Sequence, residues 1–373
     1  MALVRCVNNR VALISKESAT IYEINNNTTS AYKLEVPAES LVLNEEDAKR
    51  QNDEVDEVGF SCANFSPCSS QFLAITRNKD FLLWQRKDSG IWDLFMRRKL
   101  ARKCVQVQVV GEKVLVADRA GDVYGLNLTE PGEELLLGRL SMALDLVLTS
   151  DEKYLIVSDR DEKIQVSHFP NCYNIAAFCL GHTQFVSSLT LIPDYPDLLL
   201  SGSGDGSIRL WRYADGSCLA CVALAPLLEQ ENPPAVLKLC CHGSTVACLL
   251  ERISQILVFK VEATSVSLMQ KLNVGSNPWD AAWDENGCVW VLTPHHTSQP
   301  VQAFEITDRG LCLWDGGKEI LLQMAEACSS LRGCQVQDRS HLYKQWFDNV
   351  EGYLKKKRER EESRAARKRA RLD

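Results

Sequence analysis

The sequence predicts an all-β fold: a seven-bladed β-propeller followed by a charged helical tail. Short strand–turn–strand segments recur at a nearly constant spacing, and seven such segments can be counted. The alternation of apolar and polar residues then stops near residue 340. We therefore predict a propeller over residues 1–340 and a C-terminal helix with a basic tail over residues 341–373.

The repeat is clearest in four segments that share a short apolar strand, a polar turn and a second strand. Their second strands begin at Phe81, Val123, Ile164 and Ile208, which are 42, 41 and 44 residues apart. Weaker copies at 256–259 and 301–304 follow after 48 and 45 residues, and two strands within 11–24 precede them. Propeller blades repeat every ~40–45 residues. Seven units suffice to close a ring, in which every sheet edge is short and protected.

The best-preserved segment begins at Gly181 and resembles the WD-repeat signature. In that family a His, a strand Ser or Thr, a turn Asp and a strand Trp form a hydrogen-bonded set. Here the matching residues are His182, Ser201 (or Ser203), Asp205 and Trp211. Arg212 replaces the final Asp of the signature, and Gly138–Arg139 replaces Gly–His in another blade. Buried polar side chains usually pair for structural reasons, so we predict a structural network here and not a catalytic site.

The composition favours a folded protein of the cytosol or nucleus. Hydrophobic residues make up 45% of the chain, enough for a large core. No apolar stretch reaches the roughly 18 residues that span a membrane, and the first residues lack a signal-peptide pattern. The 15 cysteines are scattered and mostly lie in apolar runs. This usage is typical of unpaired thiols in a reducing compartment.

Charge is unevenly distributed along the chain. Residues 352–373 contain ten basic and four acidic side chains, so the remainder carries −13 while the whole chain carries −7. The basic tail residues are Lys355, Lys356, Lys357, Arg358, Arg367, Lys368, Arg369 and Arg371. Such runs serve in nuclear import or nucleic-acid contact, with plain solvated charge as the alternative. We expect a nuclear location, with the cytoplasm as a second one.

Two further charged segments interrupt the blades. Residues 35–57 hold nine acidic and two basic side chains, which predicts a solvated acidic loop between the first two blades. A basic cluster lies between two later blades: Arg97, Arg98, Lys99, Arg102 and Lys103, with Arg119 on the neighbouring turn. In a chain that is acidic elsewhere, this cluster can neutralise nucleic-acid phosphates. An ordinary solvated inter-blade loop is an equally weighted alternative.

Motifs for chemistry are missing. The spaced glycines of 202–206 lie in a strand-to-strand turn without a helix to receive a phosphate. Cys218 and Cys221 form one CxxC without a second pair, which is a weak zinc signal. We predict no catalytic, cofactor or metal site, and these absences favour a binding module over an enzyme.

Specific blocks then resemble one family, the WD-repeat non-catalytic subunit of tRNA (guanine-N7-)-methyltransferase. The blocks are 115–118, 121–124, 158–164, 179–187, 347–350 and 353–357. The resemblance implies a heterodimer with a separate Rossmann-type subunit, which holds S-adenosylmethionine and methylates a guanosine in the tRNA variable loop. It implies that the propeller stabilises that subunit, helps seat the tRNA and binds no cofactor itself.

The resemblance also implies particular binding residues. The partner-facing turn corresponds to Asp159, Arg160, Asp161, Glu162 and Lys163, and relatives often carry an arginine at the position of Gln165. Contacts with the tRNA backbone are implied near Arg102 and Lys103. The alternative function is a substrate receptor of a cullin-type ubiquitin ligase, although the best blade lacks the Trp-Asp-x-Arg ending of such receptors. A stand-alone enzyme is a third hypothesis, for which no constellation of residues was found.

Overall fold

The computed structural model confirms the seven-bladed propeller. The described residues form seven antiparallel sheets of four strands each, and in every sheet the strands follow the order of the chain. The structure describes residues 2–360 except 16–17, 26–27, 41–58, 112, 129–131, 140, 232–233, 297–298, 308–309, 315–317, 329–338, 345–352 and 359. The chain divides into two compact units, Met1–Asp338 and Arg339–Asp373.

Blades are numbered in chain order. Blade 1 comprises β1 (Leu3–Val7), β2 (Arg10–Ile14), β3 (Ala19–Asn25) and β4 (Thr28–Leu34); blade 2 comprises β5 (Phe60–Phe65), β6 (Gln71–Thr76), β7 (Asp80–Arg86) and β8 (Trp92–Lys99). Blade 3 comprises β9 (Cys104–Val110), β10 (Lys113–Asp118), β11 (Val123–Asn127) and β12 (Glu133–Leu137); blade 4 comprises β13 (Ala143–Leu148), β14 (Tyr154–Asp159), β15 (Ile164–His168) and β16 (Ile175–Cys179). Blade 5 comprises β17 (Val186–Ile192), β18 (Tyr195–Ser203), β19 (Ser207–Arg212) and β20 (Ser217–Ala223). Blade 6 comprises β21 (Val236–His242), β22 (Thr245–Leu250), β23 (Gln255–Val261) and β24 (Val266–Asn273); blade 7 comprises β25 (Asp280–Trp283), β26 (Cys288–Leu292), β27 (Val301–Thr307) and β28 (Gly310–Leu313).

The strands that the repeat analysis located are the third strands of their blades. Phe81, Val123, Ile164 and Ile208 lie at or near the starts of β7, β11, β15 and β19. Apolar side chains recur in these strands because each blade is covered on both faces by its neighbours. In the third strand β7, for example, the first five residues are buried.

Among the described residues, seven apolar clusters fill the spaces between neighbouring blades and form the core. The first strand of each blade lies against the first strands of both neighbours, including β1 against β25. Helix α2 (Lys318–Ala327), which the sequence analysis did not predict, covers the junction of blades 1 and 7. Its Ile320 and Met324 are one helical turn apart, so both can join that cluster. A shorter helix, α1 (Ala225–Leu228), follows blade 5.

The ring closes through side chains, since each described sheet consists of four consecutive strands. Asp280 of β25 accepts hydrogen bonds from the amide of Val4 (3.0 Å) and the guanidinium of Arg5 (2.5 Å) in β1. Lys238 of blade 6 also pairs with Asp280. One buried carboxylate thereby joins three blades.

The charged helical tail is not confirmed. Residues 353–358, which include Lys355, Lys356, Lys357 and Arg358, are helical and exposed. Arg367, Lys368, Arg369 and Arg371 lie outside the described residues, as do residues 41–57 of the predicted acidic loop 35–57. No helix among the described residues is long and apolar enough to cross a bilayer.

Candidate functional site

One face of the propeller carries both predicted binding regions. In a four-stranded meander, the turn between the second and third strands lies at the same end as the connection to the next blade. Backbone hydrogen bonds join these two segments in consecutive blades: Arg77 N to Gly59 O (2.8 Å), Arg119 N to Lys103 O (3.0 Å) and Arg160 N to Met142 O (3.0 Å). We call this surface the turn face.

The basic cluster lies at the junction of blades 2 and 3 on the turn face. The interpretation of the whole cluster as an inter-blade loop is wrong, because Arg97, Arg98 and Lys99 are the last residues of β8. Strand alternation leaves Arg97 and Lys99 exposed and Arg98 half-buried. Only 100–103 form the connection to β9, in which Arg102 is exposed.

Carboxylates neutralise part of this cluster. Arg97 pairs with Glu39 at 3.0 Å, and both Arg97 and Lys99 approach the buried Asp80 at 3.5 Å. Arg102 bonds to Asp122 at 2.6 Å and to Asp118 at 3.2 Å. The hydrogen bond to Asp122 raises the pKa of Arg102 above its ordinary value, with a smaller contribution from Asp118.

The proposed partner turn, residues 159–163, connects the second and third strands of blade 4. Asp159 is buried; its Oδ1 accepts a hydrogen bond from the Lys163 amide (2.9 Å), and its Oδ2 from the Arg139 guanidinium (2.5 Å). Burial raises the pKa of the Asp159 carboxyl, while the Lys163 amide and Arg139 act in the opposite direction. Arg160 and Lys163 are exposed, and Asp161 and Glu162 half-exposed.

The burial of two of the six predicted partner-binding residues reduces the number that are available for contact. Asp159 and Gln165 lie below the surface, and the Gln165 amide donates to the Ser167 hydroxyl at 3.0 Å. Neither side chain reaches the surface. The exposed and half-exposed residues of the turn are 160–163.

The four residues predicted as a structural network in blade 5 form a hydrogen-bonded chain. His182 joins Asp205 through Nδ1 (2.9 Å) and Ser201 through Nε2 (2.8 Å), and the Trp211 indole also donates to Ser201 (2.8 Å). His182, Ser201 and Trp211 are buried. Burial acts to raise the pKa of Asp205, but the hydrogen bond and charge of His182 hold it well below its ordinary value.

The residues that anchor the turn face from inside were not predicted from the sequence. Arg139 was noted only as a departure from Gly–His, and the roles of Asp118 and Asp122 were not foreseen. Each of Asp118 and Asp159 ends the second strand of its blade and accepts backbone amides of the following turn. The sequence signal for the role of Asp118 was its position in the repeat, which is the same as that of Asp159.

The described residues contain no cluster of His, Cys, Asp and Glu that could hold a metal ion. Cys218 and Cys221 are exposed free thiols. Buried thiols are unreactive by comparison; burial raises the pKa of both Cys62 and Cys179 to about 12. These thiols are therefore protonated at neutral pH.

Fold and network together define a WD-repeat β-propeller. The model of the tRNA methyltransferase TRM82 WD40 domain matches residues 129–306. The non-catalytic subunit WDR4 of tRNA (guanine-N(7)-)-methyltransferase from Homo sapiens is 35% identical over 79% of this chain and 75% of its own length. The Danio rerio subunit is 36% identical over 72% of this chain and 70% of its own length. The chain belongs to this family of non-catalytic methyltransferase subunits, which confirms the resemblance and the prediction that it is not the catalytic subunit.

Solved structures share the fold at low identity. A chain of the mitotic checkpoint complex matches with a TM-score of 0.64 and 13% identity, covering 84% of this chain and 89% of that one. The Myceliophteria thermophila Cps50 (Swd1) propeller domain matches with a TM-score of 0.62 and 12% identity, covering 78% of this chain and 92% of that one. Both likenesses concern the propeller alone. The ubiquitin-ligase alternative finds no support among these relatives.

Proposed function

We propose that this chain is the non-catalytic subunit of a tRNA (guanine-N7-)-methyltransferase heterodimer and uses its turn face to bind both the catalytic subunit and tRNA. The observation that carries the proposal is the placement of turn 159–163 and the basic cluster on one face, on blades 2 to 4. A single protein–RNA complex can then engage both regions. S-adenosylmethionine belongs to the catalytic subunit.

The partner turn offers charges of both signs on a fixed backbone. Arg160, Asp161, Glu162 and Lys163 project from a turn that is tied to blade 4 by Asp159 and to the preceding connection by the Arg160 amide. Complementary charges select a partner and its orientation more than they add affinity. Because the turn is already held, little conformational entropy is lost when it binds.

The basic cluster supports the tRNA part of the proposal through its charge. Most of the propeller is acidic, so a polyanion is repelled except where cationic side chains gather. Arg119 is exposed beside Lys103, whose carbonyl holds its amide. We place the tRNA backbone along Arg97, Lys99, Lys103 and Arg119, with Arg102 held by Asp118 and Asp122 at the centre.

The test is guanine-N7 methylation of bulk tRNA by the catalytic subunit, with and without this chain. We expect strong stimulation by the chain and no activity from the chain alone. Lys163→Glu should weaken binding to the catalytic subunit, whereas Lys153→Glu should not. Lys153 is an exposed lysine of the same blade at the opposite end of β14, so it is a matched control. No stimulation, or equal loss in both variants, contradicts the proposal.

We propose separately that the basic tail directs the protein to the nucleus. The exposed run of Lys355, Lys356, Lys357 and Arg358 is available to an import receptor or to RNA. Alanine at these four positions should shift a fluorescent fusion toward the cytoplasm. If location is unchanged while tRNA affinity falls, the tail contacts RNA instead.

A further inference from the structure

The described residues of blade 4 do not form the hydrogen-bonded network that supports the corresponding turn of blade 5. By repeat position, Val157 stands where blade 5 has Ser201, and Ser167 stands where it has Trp211. Arg139 precedes the first strand of its blade by four residues, as His182 does. Blade 4 therefore needs another anchor for residues 159–163.

Arg139 provides that anchor. Its Nη2 bonds to Asp159 Oδ2 at 2.5 Å, and its Nη1 donates to the Val157 carbonyl at 3.2 Å. The side chains of Arg139 and Asp159 are 6% and 2% exposed, so solvent screens the pair little. Asp159 passes the restraint on, because its other oxygen accepts the Lys163 amide and its own amide donates to the Lys163 carbonyl at 3.1 Å.

The turn also requires restraint because of its backbone. Glu162 has a φ of 72°, in the left-handed region. The equivalent residue of blade 5 is Gly206, with a φ of 69°, and that of blade 3 is Gly121. A non-glycine residue disfavours this conformation and adopts it where the surroundings enforce it. In blade 4 the Arg139–Asp159 pair closes the base of the turn.

Arg139 also touches the neighbouring basic cluster. Its amide donates to Asp122 Oδ1 at 3.4 Å, and the other oxygen of Asp122 accepts from Arg102. A continuous polar path thus runs from Arg102 through Asp122 and Arg139 to Asp159 and Lys163. We propose that Arg139 is a positioning residue, which holds turn 159–163 in the conformation that binds the catalytic subunit. This inference rests on the proposed function and names the residue on which its partner site depends.

The first experiment needs no partner. Amide hydrogen exchange of the isolated chain is compared for the unaltered protein, Arg139→Gln, Arg139→Lys and Arg10→Gln. Arg10 is the matched control: another poorly exposed arginine paired with a buried carboxylate, Glu23, in blade 1. We expect faster exchange of the Lys163 amide in Arg139→Gln and unchanged exchange there in Arg10→Gln. Equal exchange in Arg139→Gln and the unaltered chain overturns the proposal.

The second experiment measures affinity for the catalytic subunit alongside thermal stability. Arg139→Gln should weaken binding by about tenfold, as expected when a positioning residue is lost. Arg139→Lys should recover most of the affinity because the charge remains, and Arg10→Gln should bind normally even if its Tm falls as far. If the loss of affinity is proportional to the fall in Tm in both Arg139→Gln and Arg10→Gln, the positioning role of Arg139 is wrong.

Lys163→Glu separates the two proposals. If Lys163→Glu weakens binding and Arg139→Gln does not, the proposed partner site stands and the role of Arg139 is wrong. If the unaltered chain does not bind the catalytic subunit, the proposed function fails and the inference about Arg139 fails with it.

Discussion

Asp280 and Val4, 276 residues apart in sequence, are joined by a 3.0 Å hydrogen bond from the Val4 amide to the Asp280 carboxylate. This contact connects the last blade to the first. No described sheet contains strands from both ends of the chain. Side-chain contacts and apolar packing between blades 1 and 7 therefore hold the ring closed. Arg5 and Lys238 lower the pKa of Asp280 against the raising effect of its burial.

The first prediction concerns this closure. Asp280→Asn removes the charge that Arg5 and Lys238 share, and we expect a loss of about 2–4 kcal/mol in the free energy of unfolding. The estimate lies at the lower end for buried pairs because both cations retain partial access to water. Urea denaturation measures the change. Asp215→Asn, in an exposed ion pair of blade 5, is the control; an equal change in both would rule out a special role for Asp280.

The second prediction concerns the network of blade 5. Ser201→Ala removes the oxygen that bonds to both His182 and Trp211, which leaves two buried polar groups without that partner. We expect a destabilisation of about 1–3 kcal/mol. Denaturation followed by tryptophan fluorescence tests this value. Ser217→Ala, on the exposed start of β20, should change stability little; if the two variants behave alike, the network contributes nothing.

The third prediction is a dependence of stability on acid pH. The pKa of Asp205 is lowered in the folded protein, so the unfolded chain binds more protons as the solution becomes acidic. This contribution is present above the ordinary Asp pKa of about 4 and is lost as pH falls below it. The urea midpoint of the unaltered chain should therefore fall more steeply below that pH than the midpoint of Asp205→Asn. Parallel pH profiles would show that Asp205 does not contribute.

The fourth prediction separates the cations of the basic cluster. Arg102 is committed to Asp118 and Asp122, whereas Arg119 is exposed beside Lys103. Arg119→Gln should lower the tRNA affinity of the heterodimer and reduce the slope of log affinity against log salt by about 0.7–0.9. Arg102→Gln should reduce the slope less. A salt slope identical to that of the unaltered complex would remove Arg119 from the tRNA surface.

Much of the fold was predictable because its cause is local. A strand between two packed blades must be apolar, a turn must be polar, and a repeat of 41–48 residues reproduces this pattern along the chain. Helix α2 escaped prediction because its buried face, with Ile320 and Met324, matters only once blades 1 and 7 meet. The candidate site could be proposed only as a set of segments, since Asp159–Lys163 and Arg97–Lys103 are distinctive in sequence.

By itself the sequence determined the propeller, the number of its blades, the family and the segments that carry charge. Only the tertiary structure decided which charges face solvent. Asp159 looks like a surface residue in sequence but is buried against Arg139, 20 residues earlier. Arg102 looks available for phosphates but bonds to Asp122. Hydrophobic alternation is a property of neighbours in the chain, whereas ion pairs depend on which turn and which connection the closed ring brings to the same face.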